Sequence, residues 1–304
     1  MEDTEYTYQK LCEDVLTLQK RFPFLQVDSI GSSLCGRTLY RLGIGSGRDA
    51  VLFAGAFHGM ERITSALLMR FFCALAEAVQ TNGALQGVPV RQLLAKRHLC
   101  LLPSINPDGA EISIFGAYRA GEYAAFVREH ANGNLSCWQA NARGVDLNHN
   151  FGAGWTILRK LEIQEGYCAP GPTRFGGYAP ESEPETFSLT QLCRKEPFLY
   201  VLAFHTQGEE IYYRYGDQTP PYARKMAKIL SETSGYAISE PEGIASMGGF
   251  KDWFIQTFQR PGFTIEAGLG KNPLPPSDLP ALYQRLEPML VAALELPIPV
   301  SSVS

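Results

Sequence analysis

The chain has 304 residues, 45% of them hydrophobic and 19% charged, with a formal net charge of -4. That balance suits a globular chain with a sizeable core, and the lack of any basic cluster or arm excludes a nucleic-acid footprint. The apolar stretches 51–57, 63–76 and 198–204 read as too short or too interrupted to span a membrane. The acidic N-terminus, MEDTEYTYQKLCEDV, lacks the apolar segment of a secretory signal. Seven cysteines lie scattered without a CxxC pair, which fits reduced thiols and a cytoplasmic location.

In chain order, Leu11, Val15, Leu16 and Leu18 predict a helix over 7–21 that Pro23 stops. LQVDSIGSS and TLYRLGIG, joined by a Cys-Gly turn, predict a hairpin. VLFAGAFH is a near-continuous apolar run, the pattern of a strand buried on both faces of a largely parallel sheet. A long apolar helix follows from Glu61, then a buried strand HLCLLPSI ending at a Pro-Asp-Gly turn. Residues 110–197 carry little periodic pattern and read as a functional loop region. FLYVLAFHT predicts another buried strand, followed by helices near 219–234 and around KDWFIQTF. FTIEAG predicts the last strand, and 277–295 a closing helix. With no repeat, low-complexity tract or linker, the chain reads as one domain over 1–304: an N-terminal helix to residue 22, a core over 23–296 and a tail over 297–304. The fold class is α/β, with a mixed, mostly parallel central sheet flanked by helices, and in such sheets sites gather at the carboxyl ends of strands.

Those strand ends carry the chemistry. His58 and Glu61 form an H-x-x-E at a strand-to-helix junction, where two ligands three residues apart can face one ion. His205 ends an independent buried strand and supplies a third ligand. A His-Glu-His set leaves one position for water, the arrangement of a catalytic zinc site. Glu266 ends the apolar strand Gly262–Ile265, where a carboxylate is costly unless it meets a cation or water. It is placed to take a proton from water acidified by the metal. Arg143, in the polar loop ANARGVDLNHNF, is placed to hold a developing oxyanion.

The segments AFHGMER, SINPDGAE, ARGVDLNHNF, LAFHTQGEE and FTIEAG, spread over about 53–268, resemble the zinc carboxypeptidase family of carboxypeptidase A type. The resemblance implies a phosphorylase/hydrolase-like sandwich and one Zn2+ held by His58, Glu61 and His205. It also implies Glu266 as general base and Arg143 as the arginine that polarises the scissile carbonyl. Asn148 and His149 match the Asn-Arg pair that grips a substrate carboxylate, with histidine where the family has arginine. Ile244 falls where the family has a mobile tyrosine, for which Tyr213 or Tyr236 are candidate replacements.

FHTQGEEIYY, SEPET and GGFKDWFIQTFQRPGFTIEAGLGKNPLP resemble a narrower subgroup, the γ-D-glutamyl-diamino acid endopeptidases of bacterial cell-wall peptides. That resemblance implies hydrolysis of the bond between γ-D-glutamate and meso-diaminopimelate or lysine in a small muropeptide stem. It places Lys251 in the specificity pocket, where it either meets a substrate carboxylate or is a solvated helix residue. The alternatives are an ordinary metallocarboxypeptidase, an N-acyl amino acid amidohydrolase, and a non-catalytic peptide-binding protein. No nucleic-acid or membrane partner is expected.

Overall fold

The apolar runs become the inner strands of one sheet. The computed structural model describes residues 4–131 and 133–298, so the expected tail lies outside the described residues from 299 onward. The chain begins with α1 (Tyr8–Arg21), the hairpin β1 (Gln26–Ser32) and β2 (Thr38–Ile44), then β3 (Asp49–Gly55) and α2 (Ile63–Thr81). A two-residue pair, β4 (Ala84–Leu85) and β5 (Val88–Pro89), precedes α3 (Val90–Lys96) and β6 (Arg97–Leu102). Four helices follow: α4 (Pro107–Phe115), α5 (Ala124–His130), α6 (Trp155–Gln164) and α7 (Pro184–Lys195). The second half runs β7 (Val201–His205), β8 (Glu210–Tyr212), α8 (Ala223–Ser234), β9 (Ala237–Ile238), α9 (Phe250–Phe258), β10 (Gly262–Glu266) and α10 (Leu279–Leu294).

The main sheet has the order β1-β2-β6-β3-β7-β10-β8-β9. Its centre, β6-β3-β7-β10, is parallel, while β1, β2 and β6 pair antiparallel, as do β10 and β8. Alternation along β3 builds two core layers. Val51 and Phe53 enter a cluster with α2, α8 and α10, whereas Leu52 and Ala54 enter one with α7 and α9. The stretch Gly59–Thr81 is long and apolar enough for a membrane span, contrary to the sequence reading, but 67% of its apolar 18-residue window is buried inside the fold. Its apolar surface is spent on the core.

Two expectations are corrected. Pro107-Asp108-Gly109 is not a turn but the first turn of α4. The Asn106 side chain accepts the Gly109 N–H at 2.8 Å and Pro107 sits near the helix start, both of which favour a helix N-terminus. The region 110–197 is also not loop alone, since it holds most of α4 and all of α5, α6 and α7. Helices α4, α6 and α7 hide because they bury polar groups: Glu111, Glu162 and Glu185 are each fully buried, which breaks the apolar periodicity.

The 3-10 turn Gly59–Glu61 packs against α4 so closely that a Cβ on Gly59 would stand 2.3 Å from the Gly109 carbonyl. Gly59→Ala should therefore cost about 1–3 kcal/mol. A shifted denaturant midpoint checks this, and an unchanged midpoint contradicts the packing.

Candidate metal centre and active site

β3 stops at Gly55, and the chain leaves the sheet through Ala56, whose φ of 48° is left-handed. The turn is tied by Thr64, whose hydroxyl accepts the Ala56 N–H and donates to the Glu61 carbonyl, both at 2.8 Å. His58 and Glu61 thus sit at the carboxyl end of β3. His205 ends β7, the neighbouring parallel strand. Its ring stacks on Phe57 at 5.1 Å between centroids.

The three side chains converge. His58 Nδ1 lies 2.9 Å from Glu61 Oε1, and His205 Nδ1 lies 3.0 Å from Glu61 Oε2. One donor atom from each falls within 4.8 Å of the others. Glu61 and His205 are buried, and His205 Nε2 has no hydrogen-bond partner among the described residues. Burial works against a charged His58, but Glu61 and Asp146 outweigh it and hold His58 well above the ordinary imidazole range. Burial lowers His205 instead. Burial also works against an ionised Glu61, yet the two histidines hold it below the ordinary carboxyl range.

Asp146 was given no role by sequence reasoning, although it lies inside ARGVDLNHNF. Its Oδ1 meets His58 Nε2 at 3.1 Å, and its Oδ2 accepts the Arg174 N–H at 2.9 Å. A carboxylate behind a ligating imidazole fixes the ring and its tautomer. Against burial, the His58 charge pulls Asp146 far below its ordinary range.

Glu266 ends β10 in register with His205 and, like His58 and His205, lines a cavity of about 420 Å3. Burial, with the Glu61 charge adding, pushes its carboxyl up to about 8. Glu61, Asp146 and Glu266 have no Lys or Arg side chain as an ion-pair partner among the described residues. The Glu61 and Asp146 carboxylates around two imidazoles match the charge and donor chemistry of a divalent zinc site.

The other expected residues divide. Asn148 and His149 line the cavity. Asn148 Oδ1 accepts the Phe250 N–H at 3.1 Å, and His149 Nδ1 meets Glu162 at 2.7 Å. Lys251 also lines it, but it is buried rather than solvated. Its Nζ is bound to Asp252 and to the Arg214 carbonyl, the latter at 2.7 Å. Arg143 stands outside the cavity lining, its guanidinium forked onto the buried Glu183 at 2.9 and 3.0 Å. Ile244 is buried in a 3-10 turn beside the lining residue Ala245 and does not itself line the cavity. Neither Tyr213 nor Tyr236 lines it; the Tyr236 hydroxyl is engaged by the Gly268 N–H at 3.0 Å, and the tyrosine at the cavity is Tyr212. Sequence reasoning also missed Glu240 and Glu242, which sit on the cavity wall. No motif marks them, because their segment joins the site only through the fold.

Comparison with known proteins adds four likenesses. The sequence profile of the zinc carboxypeptidase family matches residues 12–286. The chain is 37% identical to gamma-D-glutamyl-L-diamino acid endopeptidase 1 of Lysinibacillus sphaericus, over 96% of this chain and 72% of that protein. It is 27% identical to bovine (Bos taurus) carboxypeptidase B, over 78% of this chain and 56% of that one. Its fold is similar to that of bovine thrombin-activatable fibrinolysis inhibitor in complex with tick carboxypeptidase inhibitor. The TM-score is 0.73 at 18% identity, covering 96% of this chain and 97% of the other.

Chelator-competition titration should find one zinc per wild-type chain, none held stoichiometrically by His205→Ala, and affinity about 10–100-fold weaker in Asp146→Asn. Wild-type affinity in both variants contradicts this metal centre.

Proposed function

The chain belongs to the zinc carboxypeptidase family and is a zinc metallopeptidase, and from that premise we propose that it hydrolyses the γ-D-glutamyl bond to meso-diaminopimelate or lysine in bacterial cell-wall peptides. The observation that carries the reading is the 37% identity, over nearly the whole chain, to an enzyme of that named specificity. The cavity agrees with it in character. Its wall is polar: Glu242 and the Arg214-paired Glu240 offer carboxylates for an ammonium group, while Lys251 is already held by Asp252 and the Arg214 carbonyl, a lining that suits a diamino acid better than an apolar side chain.

In this reading His58, Glu61 and His205 hold the metal. Bound there, Zn2+ supplies Lewis acidity, acidifying water and polarising a carbonyl oxygen. Glu266 does the proton work. As the attacking water's oxygen bonds to the γ-carbonyl carbon, Glu266 takes its proton. As the C–N bond breaks, Glu266 returns that proton to the leaving amine. A carboxyl that burial pushes up to about 8 is a strong enough base for the first transfer and a strong enough acid for the second. Asp146 keeps the His58 ring oriented. The oxyanion role of Arg143 comes from the family resemblance alone, since its guanidinium is held by Glu183 and stands outside the cavity lining. The seven cysteines are all free thiols, which supports a cytoplasmic site of action on soluble stem peptides.

An ordinary carboxypeptidase is the second reading, favoured by the likeness to carboxypeptidase B and by Asn148 on the cavity wall. Histidine at position 149 weighs against it, since imidazole lacks the bidentate fork that suits a free carboxylate.

Mass spectrometry of L-Ala-γ-D-Glu-meso-diaminopimelate with zinc-loaded protein tests the proposal. Free diaminopimelate should appear, vanish with a chelator and return with zinc. Glu266→Gln should keep the metal and lose about 100- to 10,000-fold in kcat. An intact substrate beside efficient release of C-terminal residues from ordinary peptides would favour the second reading.

A further inference from the structure

The cavity wall at Asn148 and His149 is held by a buried cluster that the catalytic account does not use. Glu162, on α6, is fully buried and divides its oxygens. Oε1 meets His149 Nδ1 at 2.7 Å, while Oε2 accepts the Gly176 N–H at 3.1 Å and is paired with Arg159. Arg159 lies over the Phe175 ring at 4.5 Å and donates to the Tyr167 carbonyl at 3.2 Å. Gly176 leaves room for this, since a Cβ there would stand 2.6 Å from the His149 carbonyl oxygen.

An ionised carboxylate only accepts, so the proton in the His149–Glu162 bond sits on Nδ1. Arg159 already balances Glu162, and a protonated His149 would leave the buried cluster with an unpaired charge. Burial lowers the basicity of His149; Asp146 opposes that, while His58, Arg174 and Arg159 add to it. Nε2 has no protein partner among the described residues, and it is not sealed away, because the one buried side-chain atom without a partner among them is His205 Nε2. His149 lines the cavity, and Nε2 is its ring nitrogen left without a protein partner. Beside it, the Asn148 amide has its oxygen taken by the Phe250 N–H, which leaves Nδ2 to donate.

The wall thus offers one donor and one acceptor side by side. Two donors match a carboxylate; a donor and an acceptor match an amide, whose C=O accepts and whose N–H donates. We propose that Glu162 is a positioning residue that holds His149 with its proton on Nδ1, so that Asn148 Nδ2 and His149 Nε2 together read an amide at the carboxyl of the diamino acid and select amidated or chain-extended substrates over the free acid. This rests on the proposed γ-glutamyl activity for its substrate and on the geometry alone for its tautomer.

The cluster makes the test sharp. In Glu162→Gln the amide oxygen stays with its two donors, Gly176 N–H and Arg159, which turns the NH2 toward His149. His149 Nδ1 must then accept, and its proton moves to Nε2. Long-range 1H–15N NMR on 15N-histidine-labelled, zinc-loaded protein at neutral pH reads this without substrate, with the His149 signals identified by their loss in His149→Gln. The wild type should show a neutral ring protonated at Nδ1, and Glu162→Gln a neutral ring protonated at Nε2. In parallel, L-Ala-γ-D-Glu-L-Lys is compared with its carboxamide. Wild-type kcat/KM should favour the carboxamide by about tenfold or more, mainly through KM, and Glu162→Gln should reverse the preference at unchanged zinc content. His149→Arg, which supplies two donors without disturbing α6, should also favour the free acid. A wild-type ring protonated at Nε2 or at both nitrogens overturns the proposal. So does a preference for the free acid that neither variant alters. If neither compound is cleaved while the tautomers are as expected, the γ-glutamyl reading fails and the positioning role of Glu162 stands.

Discussion

Everything in this molecule turns on removing two imidazoles and a carboxylate from water at one point. Glu61 is buried with a histidine nitrogen about 3 Å from each of its oxygens, and Asp146 adds further negative charge nearby. Such a cluster is expensive without a cation. His58, Glu61, His205 and Glu266 come from the carboxyl ends of adjacent parallel strands, so the sheet must hold its register for the site to exist. Glu266 faces His205 across β10 and β7, and β7 pairs with β3, the strand that leads into His58. The rigid apolar layers on both faces of β3 keep that register.

The central part of this arrangement is legible in the sequence because each piece sits at a boundary between an apolar strand and something polar. His58, Glu61, His205 and Glu266 all follow buried runs, and a charged or ligating residue at such a position stands out. The supporting residues do not stand out. Asp146 and Glu162 come from a stretch with no apolar periodicity, and their importance lies in what the fold brings against them, namely the far nitrogen of His58 and the near nitrogen of His149. Helices α4, α6 and α7 escape for the same reason, since they bury carboxylates as well as apolar groups. The edge strands β8 and β9 are three and two residues long, below what periodicity can reveal. Lys251 shows the limit of reading charge as exposure: it is buried because Asp252 and a backbone carbonyl receive it.

The cavity joins two kinds of chemistry. Its deep end is the metal cluster and Glu266, with the proton transfers that peptide hydrolysis requires. Its wall is polar, with Glu242, the Arg214-paired Glu240 and the Lys251–Asp252 pair in its lining. Between them, histidine at position 149 changes what the wall recognises. An arginine there would present a fixed positive fork, whereas a histidine whose proton is held by a buried glutamate presents an acceptor.

The most direct test is a crystal structure of the zinc-loaded protein with anomalous diffraction recorded on both sides of the zinc edge. The account predicts one strong zinc peak enclosed by His58, Glu61 and His205, with Asp146 still behind His58 and Glu266 facing the metal across the cavity. A peak held by other side chains, or no peak in protein that cleaves peptide, would contradict it.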